Sequence, residues 1–292
     1  MINGIYAATL SVLDKNLAIN SEKTIKYAEN LIDKGCHGVV FFGSTGQSQL
    51  ISLSEKIQLI NLLPKSNYRD KFIIGTGLNS LVDNINLIKI AKSNGFNKFL
   101  IMPPAYYKYS DHDVINFYSR IIDEINECKI ILYNFEKLSG YKFSIDCVEE
   151  LVKKFPSQIV GVKDSSYNLY ENLKIDNFSV MPGSESKLLK GLELGCSGII
   201  TATTNVTSIL ARDVYDKFQN GSDQSSNEKL CLVRSIFDKF NLISGLHTFM
   251  AQIDQDYQNL IPPLKLLNEN EKKIFFDELQ KLDFDFKHLK AA

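Results

Sequence analysis

Short runs of Val, Ile, Leu, Phe and Gly alternate along the chain with longer stretches in which apolar residues recur every three or four positions. GIYAATL precedes SEKTIKYAENLIDKG, GVVFF precedes SEKIQLINLL, and KFIIGTG precedes SLVDNINLIKIAKSNG. KFLIM then leads to HDVINFYSRIIDEI, KIILYN to SIDCVEELVKKF, IVGVKD to a short LYENLK, FSVMPG to SKLLKGLELG, and GIITA to SILARDVYDKF. The short runs read as strands buried on both faces and the longer ones as amphipathic helices. Eight such units in strict alternation predict a parallel sheet that closes into a (β/α)8 barrel, with an open doubly wound sheet as the alternative. The glycines of DKGCHG, SNGF and ELGCSG stand where helices should stop, and Ser54 and Ser110 are predicted N-caps. After about residue 220 the strand signal ends, and NEKLCLVRSIFDKF, TFMAQIDQDY and NEKKIFFDELQKL read as helices broken at Pro262 and Pro263. The expected organisation is a barrel over residues 1–220 and a small helical region over 221–292 packed on it.

At 292 residues, 44% hydrophobic and 23% charged, the chain has the composition of a soluble globular protein long enough for one α/β barrel. Thirty-three basic and thirty-four acidic residues leave a net charge of -1 without a basic block, so a small-molecule substrate is expected and nucleic acid is not. The N-terminus lacks a basic segment followed by a long apolar one, and no apolar run reaches membrane-spanning length; a cytoplasmic location is the expectation. Cys36, Cys128, Cys147, Cys196 and Cys231 never form a C-x-x-C pair and read as buried free thiols. His37, His112, His247 and His288 are equally scattered, so neither a metal nor another cofactor is expected.

In a barrel of this kind chemistry gathers where the strands end. The ends read Gly43-Ser44-Thr45-Gly46, Gly75-Thr76-Gly77, Pro103-Pro104-Ala105-Tyr106-Tyr107, Tyr133-Asn134, Lys163-Asp164-Ser165, Gly183-Ser184-Glu185 and Thr201-Ala202. Lys163 closes a run otherwise made of Ile, Val and Gly, and period two sets Gly161, Lys163 and Ser165 on one face with Val162 and Asp164 on the other. Desolvation favours the neutral amine that attacks a carbonyl carbon to form a Schiff base. The alternative is a lysine that caps the barrel mouth by pairing with a carboxylate such as Glu185. Tyr133 offers a phenol on the neighbouring strand, where protons must move as a carbinolamine loses water. GSTGQSQL lacks the spacing of a P-loop or a dinucleotide fingerprint. Its backbone N–H groups with the hydroxyls of Ser44 and Thr45 suit a single carboxylate, or else it is an ordinary turn.

Taken together, GSTGQ, GTGLNS, PAYYKYS, YN, GVKDSS and GSE resemble, in order over residues 1 to about 265, the dihydrodipicolinate synthase and N-acetylneuraminate lyase family of pyruvate-handling class I aldolases. The resemblance implies a (β/α)8 barrel in which Lys163 forms an imine with pyruvate or another 2-oxo acid, Tyr133 relays protons, and Ser44 and Thr45, with Gly46 and Gln47 in the same loop, hold the carboxylate. Tyr106 resembles the tyrosine lent across a tight dimer interface, which implies a homo-oligomer, a tetramer built as two dimers. Leu138 stands where lysine-pathway synthases carry an arginine for the second carboxylate of their substrate, and an aliphatic chain cannot make that bidentate contact. Sialic-acid lyases also have an aliphatic residue there, but Gly183, Ser184, Glu185 and Ala202, with Ser165, look closer to 2-keto-3-deoxy-sugar-acid aldolases. A sugar-acid-like substrate is therefore expected, with dihydrodipicolinate synthase, then N-acetylneuraminate lyase, as alternatives. Gln47 for the usual Glu and Glu136 for the usual Pro depart from all three, and a 2-oxo-acid-binding relative without turnover is the reading from outside the enzymes.

Overall fold

The structure, a computed structural model, describes residues 1–286; His288 lies outside them. Eight parallel strands form one sheet: β1 (Gly4–Ala8), β2 (Gly38–Phe41), β3 (Phe72–Gly75), β4 (Lys98–Ile101), β5 (Lys129–Asn134), β6 (Ile159–Asp164), β7 (Ser179–Pro182) and β8 (Gly198–Thr201). The order β7-β6-β5-β4-β3-β2-β1-β8 makes a nearly closed (β/α)8 barrel, with the Ser197 N–H donating to the Val180 carbonyl across the β7–β8 seam. The run lengths anticipated this, because strands buried on both faces need helices outside and side chains inside. Inward positions Val40, Ile73, Leu100, Ile131, Met181 and Ile200 fill the barrel, while Val39, Phe41, Ile74, Phe99, Leu132 and Val162 face the helices. Burying each such aliphatic or aromatic side chain stabilises the fold by roughly 1.5–3 kcal/mol.

The helix stops at Gly35, Gly95 and Gly195 occur as read, each glycine having φ near +90° to +107°. Ser110 caps the helix Asp111–Ile125, but the helix Leu53–Leu62 begins one turn-fraction earlier than expected. Its cap is Ser52, not Ser54, because Ser52 and Glu55 satisfy each other's backbone N–H groups in a capping box.

Two other predicted helices differ. LYENLK forms turns, since the Asp164 carboxylate accepts the N–H groups of Tyr167, Leu169 and Tyr170 and folds the segment around itself. The helix placed on TFMAQIDQDY runs instead over Leu242–Met250, capped by Asn241. The helices Ser225–Asp238 and Glu269–Lys281 complete the region after β8, where Phe275 packs edge to face on Phe237 and Phe249 lies tilted against Phe237. Four of the cysteines are buried free thiols, whereas Cys231 is only half-buried. Among the described residues no helix is long and apolar enough to cross a membrane.

Candidate active site

The register of β5 and β6 sets Tyr133 directly beside Lys163, and period two turns both into the barrel. Lys163 is 3% exposed and Tyr133 4%, with the Lys163 Nζ 4.2 Å from the centre of the phenol ring. The Tyr133 hydroxyl lies 3.0 Å from Ser44 Oγ, so lysine, phenol and serine hydroxyl form one line across the barrel mouth. Asp164 faces away, as period two requires, and Lys163 has no carboxylate within 4.0 Å among the described residues. The alternative partner is occupied elsewhere: Glu185 is fully buried, ion-paired at 2.8 Å with Arg234 Nη1, and accepts from the hydroxyls of Thr201 and Thr204. Burial alone would raise its pKa, but the Arg234 guanidinium and the threonine hydroxyls outweigh that and hold the carboxyl below its ordinary range.

A cavity of about 770 Å³ opens above Lys163. Ser44, Thr45, Gln47, Tyr133, Leu138, Ser165, Gly183 and Ala202 all line it. Gly183 is there because a Cβ would meet Ser165 Oγ at 2.1 Å. Three expected binding residues do not reach the cavity. Gly46 backs onto the end of β1, its carbonyl accepting from Ser11 Oγ at 2.8 Å and its α-carbon leaving room only for hydrogen against the Thr9 carbonyl. Ser184 is buried and bonded to Ser186, and Glu185 is committed to Arg234. Tyr106 stands outside altogether, 89% exposed at φ +91° and edge-on to Tyr107.

Gln47 lines the cavity with its amide already engaged. Its Oε1 accepts from the Ile261 N–H at 2.9 Å and its Nε2 faces His247 Nε2 at 3.5 Å. His247 Nδ1 donates to the Tyr257 carbonyl at 2.9 Å, and burial pushes its pKa down to about 4. The loop after β2 is thereby tied to the segment carrying Pro263 and Leu264, two further cavity walls.

Sequence reasoning missed the far wall, made by Tyr167 from the turns after β6 and by Arg234, Asp238, Asn241, Leu242 and Ile243 from the C-terminal helices. Arg234 and Asp238 stand four apart on an amphipathic helix, which reads from sequence as a surface ion pair. Among the described residues no group of three His, Cys, Asp or Glu side chains is placed to hold a metal ion.

The Dihydrodipicolinate synthetase family profile matches residues 1–282. A 4-hydroxy-tetrahydrodipicolinate synthase of Methanopyrus kandleri is 28% identical over 96% of this chain and 96% of its own. A DapA-like lyase of Chloroflexus aurantiacus is 28% identical over 91% and 92%. Among solved structures, YagE of E. coli K12, described as a prophage protein of the dihydrodipicolinic acid synthase family in complex with pyruvate, superposes with a TM-score of 0.87 at 20% identity, covering 97% of this chain and 99% of that one. The 4-hydroxy-tetrahydrodipicolinate synthase of Methylacidiphilum fumariolicum SolV gives 0.89 at 22%, covering 99% of both. These two likenesses carry the barrel, and the full-length profile match carries the rest: the chain is a lyase of the dihydrodipicolinate synthetase family.

Proposed function

We propose that this lyase is a Schiff-base aldolase that cleaves, or forms, the bond between pyruvate and an aldehyde, acting on a 2-keto-3-deoxy sugar acid or a close relative. The observation that carries the reading is Lys163, buried with no carboxylate partner among the described residues and lying against the Tyr133–Ser44 pair. The amine adds to C2 of the 2-oxo acid, and Tyr133, bonded to Ser44, relays the protons as water leaves and a protonated imine forms. Thr45 and the turn around it hold the C1 carboxylate. Loss of the C4 hydroxyl proton then breaks the C3–C4 bond, whose electrons enter the imine to give an enamine while the aldehyde departs. Protonation at C3 and hydrolysis release pyruvate and restore Lys163; synthesis is the reverse.

Leu138 on the rim supports the sugar-acid class, since it offers no charge to a second carboxylate. A 4-hydroxy-tetrahydrodipicolinate synthase is the second reading, favoured by the names of relatives and by Lys137, a cavity-lining cation with no ion-pair partner among the described residues. Incubation with pyruvate and borohydride should add one reduced pyruvyl group to Lys163, seen by intact mass and peptide mapping, and Lys163→Ala should lose both the adduct and turnover. A folded wild-type protein without adduct would end the Schiff-base reading. Turnover of pyruvate with aspartate semialdehyde, but of no ketodeoxy acid, would favour the synthase.

A further inference from the structure

The far wall of the cavity carries a charge arrangement that the reaction at Lys163 does not use. Arg234 has a side chain 7% exposed and is fixed from two sides: its Nε donates to both oxygens of Asp238 at 2.9 Å, and its Nη1 donates to Glu185 at 2.8 Å. Glu185 in turn cannot move, being fully buried among the hydroxyls of Thr201 and Thr204. Asp238 is different, with a side chain 48% exposed and lining the same cavity as Lys163. Among the described residues each of its oxygens accepts from a single donor, Arg234 Nε, so lone pairs remain for a ligand. Nη2 of Arg234 and Nδ2 of Asn241, both on residues lining this wall, make no hydrogen bond among the described residues.

The wall therefore presents a carboxylate held by Arg234 beside open N–H donors. One guanidinium is set against two carboxylates, so the cluster is net negative. A hydroxyl both donates and accepts, and it satisfies such a wall. A carboxylate or phosphate only accepts, and it meets Asp238 with like charge. We infer that Asp238, held by Arg234, is a specificity-determining residue that reads the hydroxyls of the aldehyde portion, so that the substrate tail is an uncharged polyol. The inference rests on the aldolase reading and adds to it the residue that selects the substrate tail.

The experiment compares aldol addition of pyruvate to glyceraldehyde, to propanal and to glyceraldehyde 3-phosphate in the wild type, Asp238→Ala and Asp238→Asn, with borohydride trapping of pyruvate in parallel. Trapping reports Lys163 alone and should be unchanged in all three proteins, which also shows that the variants fold. The wild type should prefer glyceraldehyde over propanal and over the phosphate. In both variants kcat/KM for glyceraldehyde should fall about 10- to 100-fold, as expected for loss of a hydrogen bond to a charged group. Propanal should change less than about threefold, and the phosphate should gain on glyceraldehyde. A wild type indifferent to the hydroxyls, or variants that lose glyceraldehyde and propanal equally, would overturn the role of Asp238 while leaving the aldolase reading intact. A wild type that traps no pyruvate would overturn both.

Discussion

At Gln47 the orientation of one amide follows from the tautomer of a histidine. His247 spends its Nδ1 proton on the Tyr257 carbonyl, so the neutral ring must accept at Nε2, and only the donating end of an amide suits it. The other end is then correctly placed to accept from Ile261. In Gln47→Glu the carboxylate would face a bare ring nitrogen at neutral pH, and we expect a loss of about 1–3 kcal/mol. The sign reverses with acid. In the wild type the folded pKa lies below the ordinary 6.5, at about 4, so stability present above pH 6.5 is lost as pH falls towards 4. In the variant the imidazolium gains a carboxylate partner, its folded pKa rises, and stability is gained as pH falls. Thermal unfolding at pH 8 and pH 5.5 should show the gap closing, and a constant gap would refute the tautomer assignment. The sequence exposes Gln47 as a departure from the family loop, but its partners lie 200 and 214 positions away, where no local pattern reaches. Glu185 is the same lesson inverted, since its place beside a strand end suggested the cavity, while Arg234 draws it into the protein.

Elements were legible where period and capping agreed, and less so where one side chain overrode them. The strand ends, and with them Lys163, Tyr133 and Ser44, follow from apolar runs stopping at polar residues; LYENLK failed because Asp164 supplies the hydrogen bonds a helix would have made. Lys56 in the helix Leu53–Leu62 is a related case. In the segment SEKIQLINLL, which reads as an amphipathic helix, the Lys56 side chain is fully buried and its Nζ donates to the carbonyls of Thr76 at 2.8 Å and Gly77 at 3.2 Å. It fastens this helix to the loop after β3 without a carboxylate. Burial pushes its pKa from 10.5 down to about 8, so between those values the unfolded chain holds more protons than the folded one, and stability rises with pH. The whole shift corresponds to about 3 kcal/mol at most. Urea unfolding of the wild type and Lys56→Met should therefore give a stability difference that moves in favour of the wild type by about 2 kcal/mol between pH 7.5 and 9.5. Taking the difference removes the buried tyrosines, which both proteins share. A flat difference would mean that Lys56 stays protonated throughout the window.

For the whole molecule, the eight-unit rhythm is enough to specify the barrel, because alternation and burial leave few other ways to cover a parallel sheet. What lies beyond one chain is written only in its surface. Tyr106 and Tyr107, at 89% and 68% exposure, put two aromatic rings in solvent, and Tyr106 holds a backbone conformation that side chains rarely adopt. We propose that this exposed ring pair meets a second copy of the chain. If Tyr106 reaches into the site of a second copy, Tyr106→Phe should lower kcat by about 10- to 100-fold although it lies outside its own chain's cavity. The decisive observation is complementation. Lys163→Ala keeps Tyr106, and Tyr106→Phe keeps Lys163, so mixed oligomers contain sites that draw the lysine from one chain and the tyrosine from the other. Two nearly inactive proteins should recover activity when dissociated and reassembled together, and native mass spectrometry should show the mixed species as tetramers. Recovery without mixed species would implicate contamination; mixed species without recovery would confine Tyr106 to its own chain and remove it from the chemistry.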